Sequence, residues 1–456
     1  MNLKKRIIIA CALVAFVGVA VTCTILFAPI PMNIDWDSLY EIGTNVEVLQ
    51  PGAEGNPSAD SVALVKKNED GTIDASDWKL LQFTDMHLSE SNKDKWGGND
   101  RTMKEYIAAI QREKPDFVVL TGDIITSIGA RARAVQFCEV MERLGIYWAY
   151  NLGNHEGDAF YKLPRKDLMA IIEQYPHCLS EGSVKRTKAT GEEVWGVGNF
   201  VVNLLGAENK VVQSLIFMDS GDAISNADAK KFNVKKGSYD YLKESQMQWY
   251  KEQVLSVTDN LTNGVKTMLF IHIPLVEQAN LSYIDLKKDS DPRKAGWTED
   301  APLAGWTYLE GAIAKNYDGE LVGRVALKDG WNVIDGTVNF EGVACSKYNN
   351  GMYALMKEMR AGVNALFCGH DHINNSILYE TPQNEETPLY LAYGYCSGYS
   401  TYNLYKSKKT DDPNNLMKGY SIITVHGNGA FDYAGVSYDR NYEMTLYIEN
   451  SLPKQN

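Results

Sequence analysis

Short apolar runs punctuate the chain, and most of them stop at a turn built from Gly, Asp, Asn or His. Leu80-Leu-Gln-Phe83, Phe117–Leu120, Ile146–Leu152, Val211–Met218, Thr267–Ile271 and Ala365–Cys368 have the length and composition of buried strands. Between them, residues 99–114, 130–144, 244–257 and 348–360 show helical spacing of apolar positions. Asp100 is the expected N-cap of the first helix, and Pro115 lies just beyond its end. The strand–helix alternation predicts βαβ units, whose ligands bind beyond the carboxyl ends of the strands. Asn68-Glu-Asp-Gly71, between Val62–Val65 and Trp78–Phe83, reads as a hairpin turn. Strands with turns at Thr190-Gly191 and Gly206–Asn209 are expected across 177–220. Later strands are expected at 389–393, 420–425, 431–438 and 443–448, and antiparallel strands should form a second sheet over the core.

The N-terminus breaks this pattern. Lys4-Lys5-Arg6 precedes an uncharged apolar stretch from Ile7 to Pro31, long enough to cross a bilayer. It reads as an uncleaved signal anchor with the basic flank in the cytoplasm and the rest outside. Cleavage after Gly18-Val-Ala20 would instead give a secreted protein. The expected organisation is an anchor over 1–31, a juxtamembrane segment with first strands over 32–78, and one catalytic domain over 79–456. Residues 280–340, polar and weakly periodic, form an insertion near its site.

Charge narrows the partners. The net charge is −13, and the first 32 residues carry three positive charges, so the remainder carries −16. Such a domain is unsuited to gripping a nucleic-acid backbone. A small phosphorylated substrate, neutralised by bound cations, fits better. The seven cysteines (Cys11, Cys23, Cys138, Cys178, Cys345, Cys368, Cys396) show no disulfide framework.

Leu366-Phe-Cys-Gly-His-Asp-His372 presents two imidazoles directly after a buried run. Imidazole is the commonest protein ligand for transition metals. Asp85, His87, Asp123, Asn154 and His272 occupy the same position after their own runs. Seven mixed carboxylate, amide and imidazole donors exceed what one ion takes and suit two ions of Mn, Fe or Zn. Two such ions need a bridging carboxylate and can activate a water as hydroxide for in-line attack on phosphorus.

Asp85-x-His87, Gly122-Asp123, Gly153-Asn-His-Glu156, His272 and Gly369-His-x-His372, in that order, resemble the five blocks of the calcineurin-like metallophosphoesterases. The longer phrases Lys114–Asp123, Ile271–Leu275 and Cys368–Asn374 are similar to the branch containing the fungal Dcr2 phosphatase and plant purple-acid-phosphatase-like proteins. The resemblance implies an α/β (α+β) sandwich of two mixed sheets flanked by helices, here behind a transmembrane helix. It implies that Asp85, His87 and His372 hold one metal, that Asn154, His272 and His370 hold the other, and that Asp123 bridges. His155 would lie beside the phosphate as proton donor or transition-state stabiliser, with Asn154 and His155 contacting substrate. The purple enzymes carry a tyrosine three residues after the bridging Asp; this chain has Thr126, so an Fe(III)-tyrosinate is not expected.

The resulting expectation is a dinuclear phosphoesterase hydrolysing a monoester by attack of a metal-bridging hydroxide. A phosphodiesterase acting on a nucleotide or phospholipid head group is the alternative, and a non-catalytic surface-binding protein is a further one. Glu156 either orients a ligand or caps a helix. Asp219 and Asp222 read as turn residues rather than pocket-lining ones, and His177 and His426 as loop and hairpin histidines. The tyrosines of Tyr393–Tyr399 either rim the substrate pocket, the reading preferred, or pack as a strand. Trp297 and Trp306 either form a lid or anchor the insertion.

Overall fold

The computed structural model describes residues 31–438 apart from 90–91, 93–94, 127–128, 158–162, 183–185, 286–303, 316–320, 335–336, 384–385 and 408–415. The expected signal anchor, Trp297 and the expected strand 443–448 lie outside the described residues. Among those described, no helix is long and apolar enough to cross a membrane.

In chain order the elements are β1 (Val46–Leu49), β2 (Val62–Lys66), β3 (Trp78–Phe83), α1 (Gly98–Glu113), β4 (Phe117–Thr121), α2 (Ala130–Leu144), β5 (Trp148–Asn151) and α3 (Arg165–Ile172). Next come β6 (Phe200–Leu205), β7 (Val211–Phe217), α4 (Asn226–Lys231), α5 (Glu244–Val257), β8 (Lys266–Phe270), β9 (Leu281–Asp285), β10 (Trp306–Lys315) and β11 (Leu321–Lys328). The chain continues through β12 (Trp331–Val333), α6 (Met352–Glu358), β13 (Val363–Cys368), β14 (Ile377–Glu380), β15 (Tyr390–Tyr393), β16 (Gly419–Val425) and β17 (Phe431–Ser437).

Two mixed sheets face each other. One has five strands, ordered β17-β16-β3-β4-β5, with β3, β4 and β5 parallel. The other has nine, ordered β1-β2-β6-β7-β8-β13-β15-β14-β12, with β7, β8, β13 and β15 parallel at its centre. Leu80, Phe117 and Val119 from the first sheet meet Leu215, Met268 and Phe367 from the second in one buried layer. Within it Phe200, Phe217, Phe270 and Phe367 stack on neighbouring strands at 4.6, 5.1 and 5.2 Å between ring centroids. Each such contact adds about 0.5–1.5 kcal/mol beyond area burial. Helices α1–α3 cover the outer face of the five-stranded sheet, and α5 and α6 that of the nine-stranded one.

Several expectations are corrected. Strands β2 and β3 do not pair as a hairpin: β2 joins β1 and β6, whereas β3 joins β16 and β4. The hairpin turn at Asn68–Gly71 is present, with Lys67 and Ile73 paired antiparallel and Asp74 N donating to Lys66 O, and the chain passes to the other layer only after Asp74. The second sheet is mixed rather than antiparallel, and β16 and β17 extend the first sheet. Asp100 lies in the first turn of α1, while Gly97, at φ 107°, is its N-cap. The last expected helix starts later, at Met352, because Asn349 and Asn350 accept from the amides of Gly351 and Met352. Part of 280–340 is the antiparallel sheet β10-β11-β9.

Candidate metal centre

The parallel strands of both sheets end on the same side, and five of those ends converge. Strand β3 delivers Asp85 and His87, β4 delivers Asp123, and β5 delivers Asn154 and His155. Across the sandwich, β8 delivers His272 and β13 delivers His370 and His372. Buried amides lock the ends together. Gln82 Nε2 donates to Thr121 Oγ1 (3.0 Å) and Cys368 O (3.1 Å), and Asn151 Nδ2 donates to Phe270 O (2.7 Å).

The turns after these strands are strained. Asp85, His87, Asp123 and His370 all have positive φ, at 52°, 46°, 54° and 82°. Non-glycine residues hold such backbone only where surrounding structure enforces it, and these residues cluster at functional sites. Gly122 is required for space as well: a Cβ there would lie 2.5 Å from His272 Nδ1.

Each carboxylate keeps one oxygen for the centre. Asp85 Oδ2 accepts from Thr84 Oγ1 and the His370 amide, both at 2.8 Å, which turns Oδ1 inward. That Oδ1 lies 3.4 Å from His372 Nε2 and 3.8 Å from His87 Nε2. Asp123 Oδ1 accepts from the His155 amide at 2.8 Å, leaving Oδ2 at 3.1 Å from His272 Nε2 and 3.6 Å from His87 Nε2. His272 donates from Nδ1 to Thr121 O (2.7 Å), so Nε2 faces the centre, 3.1 Å from Asn154 Oδ1 and 3.2 Å from His370 Nδ1. His372 Nδ1 is bonded to the Thr401 hydroxyl. Such contacts set the tautomer and orientation of a ligating ring.

The ligating atoms of Asp85, His87 and His372 lie within 4.8 Å of one another, as do those of Asp123, His272 and His370. Four buried atoms there, Asp85 Oδ1, His87 Nε2, Asp123 Oδ2 and His370 Nε2, have no hydrogen-bond partner. Stranding so many buried polar atoms is costly unless something else pairs with them. Two cations fit this donor set. Burial would raise the Asp123 carboxyl, but His272 and His87 hold it well below the carboxylate range. Burial likewise works against a charged His272, yet Asp123, Asp85 and Glu156 raise it to about 10. The carboxylates therefore demand positive charge between them, which a bound cation would supply in place of the His272 proton. His370 and His372 are pushed down to about 3 and about 4 by burial and stay neutral, as metal ligands must.

All seven expected ligand positions meet here. His155 stands at the rim, its side chain 40% exposed and its Nε2 4.0 Å from Asp123 Oδ2. Glu156 orients the loops: it accepts from Ile124 N, Gly153 N and Tyr150 OH at 2.8, 2.8 and 2.6 Å. The tyrosines of 393–399 do not rim a pocket. Tyr393, Tyr395 and Tyr399 are buried, and Tyr393 OH donates to Asp371. Asp219 is a buried partner of Arg165 and Val197 N, and Asp222 an exposed turn residue. His177 pairs with Glu142, and His426 with Asp77 and Asp432. Sequence reasoning missed Lys418, Glu341 and Tyr402. Tyr402 stacks on His372 at 4.3 Å and donates to Glu341.

An α/β sandwich with two candidate cation-binding groups where strand ends of both sheets converge is the architecture of a dimetal phosphoesterase, a hydrolase of phosphoric esters. The chain belongs to the calcineurin-like phosphoesterase family, whose model matches residues 79–374. It is 24% identical over 330 residues to "Probable inactive purple acid phosphatase 28" of Arabidopsis thaliana, covering 67% of each chain. It is 26% identical over 346 residues to "Phosphatase DCR2" of Saccharomyces cerevisiae, covering 70% of this chain and 48% of that one. A dimetal phosphatase from Danio rerio, at 12% identity, aligns over 80% of this chain and 97% of its own with a TM-score of 0.44.

Proposed function

We infer that this protein hydrolyses a phosphate monoester at two cation sites that share Asp123. One site is formed by Asp85, His87 and His372, and the other by Asn154, His272 and His370. The observation that supports the reading most is the position of Asp123 Oδ2, within 3.1 Å of a nitrogen of one group and 3.6 Å of a nitrogen of the other. Bound divalent ions supply Lewis-acid stabilisation of phosphate charge and activation of water. The chain's own residues do the rest. Asp85 and Asp123 concentrate negative charge in a buried site. Thr121 O and Thr401 aim His272 and His372. His155 is open to solvent and can present a proton from Nε2 to the leaving oxygen. The yeast relative is named a phosphatase and the Arabidopsis one a "probable inactive" one; in this chain two groups of potential metal-binding side chains are brought together, which supports the active reading.

Asp123→Asn tests the reading, because an amide keeps the shape and loses the charge. Hydrolysis of p-nitrophenyl phosphate should fall at least about a hundredfold, the scale of losing one preorganised charge-stabilising group. Bound metal should fall with it. Unchanged rate and metal content would refute the shared site, and faster hydrolysis of bis-p-nitrophenyl phosphate than of the monoester would favour a diesterase.

A further inference from the structure

One excursion of the chain carries charge opposite to that of the molecule. Between Ala229 and Tyr239 lie four lysines, Lys230, Lys231, Lys235 and Lys236, and no acid, in a chain of net charge −13. All four are exposed, and none has a carboxylate partner among the described residues.

The excursion is rooted at the metal centre. It leaves after Ser220, whose Oγ accepts from the amide of Ile273, the residue after His272 (3.0 Å). It returns through Tyr239, whose ring stands edge-on against His370 at 4.5 Å. Its two limbs pair: Ile224 N donates to Ser238 O (2.8 Å) and Asp240 N to Asp222 O (3.2 Å). Phe232 stacks on Tyr348 at 3.7 Å and holds the outer part. Of the excursion's acids, Asp228 and the adjoining Asp240 are taken by Lys243, at 3.3 and 2.6 Å, and Asp222 makes no ion pair with the four lysines. The four lysines are thus a held, unneutralised positive patch. Lys236 is three residues from Tyr239, at most about 11 Å of chain.

We propose that this lysine arm is a second anion subsite, and that the substrate is a small phosphate monoester bearing a further phosphate-like group. The proposal rests on the monoester reading and extends it: the cations take the scissile phosphate, and the arm takes the other anion.

The test uses inert probes, so that binding is read apart from turnover. Butylphosphonate and 1,4-butanebisphosphonate are titrated calorimetrically into the full-length Mn(II)-loaded protein. The bisphosphonate should bind at least about tenfold tighter at low salt, in line with charge focusing, and the preference should collapse at high salt. Lys235→Ser/Lys236→Ser should remove most of the preference and leave butylphosphonate affinity and p-nitrophenyl phosphate hydrolysis unchanged. Equal affinities in the wild type, or a preference that survives the double substitution, would overturn the proposal. Loss of p-nitrophenyl phosphate hydrolysis in the wild type would instead strike the monoester reading, whatever the phosphonates do.

Discussion

Lys418 is fully buried, and among the described residues its side-chain nitrogen donates only to neutral groups: Cys396 Sγ and Tyr402 O, both at 2.8 Å. Those two residues bracket the loop that supports half of the centre. Cys396 Sγ approaches Asp85 O at 3.5 Å, Thr401 bonds His372, and Tyr402 stacks on it. A buried cation held this way positions the loop by joining its ends. Replacing Lys418 with methionine keeps the stem and removes the ties. Metal affinity at the Asp85–His87–His372 half should fall about 10- to 100-fold, as when outer partners of ligands are lost, while the other half keeps its affinity. Competition with a metal indicator reads both, and an unchanged affinity at the first half would show the loop needs no such tie. Nothing near Lys418 in the sequence announces this role, because its contacts form only in the folded chain. The ligands were legible for the opposite reason: each follows its own apolar run, so local pattern and chemistry coincide.

Elements were legible where their periodicity is local and illegible where pairing is distant. Helices α2 and α5 match their expected bounds, Ala130–Leu144 and Glu244–Val257. The partners of β16 did not, since its pairing with β3 joins residues more than 300 apart, as Ser421 opposite Gln82. That junction carries a pH-dependent tie. His426, after β16, lies with Nδ1 2.8 Å from Asp77, before β3, and Nε2 3.0 Å from Asp432 on β17. Burial alone would lower its pKa, but the two carboxylates raise it above 6.5. A raised folded-state pKa means that the folded protein binds the proton more tightly. The stabilisation is therefore complete below the unfolded value and is lost as pH rises through the folded one. His426→Gln should lower the urea midpoint more at about pH 5 than at about pH 9, where the imidazole is neutral in both states. Equal losses at both would mean that the ion pairs contribute nothing.

At the scale of the molecule, the centre is a seam between two sheets. Asp85, Asp123 and Asn154 come from the five-stranded sheet, and His272, His370 and His372 from the nine-stranded one. Cations bound there join the halves of the sandwich and neutralise a buried acidic cluster. Chelation should therefore lower the unfolding temperature, and added Mn(II) should restore it. A ligand that binds only the folded state at a hundred times its Kd stabilises by about 2.7 kcal/mol per site. An unfolding temperature indifferent to chelator would mean that the seam holds without ions. The sandwich class and the strand-end site could be read from the chain. The lysine arm's closeness to His370 could not, because it depends on Tyr239 folding back onto a strand end more than 100 residues later.

The central claim is that Asp123 stands between two cations. Anomalous diffraction from crystals grown with Mn(II) tests it most directly. Two peaks about 3.5–4 Å apart, with Asp123 Oδ2 ligating both, are the predicted result. A single peak, or two peaks with Asp123 bound to only one, would contradict the account.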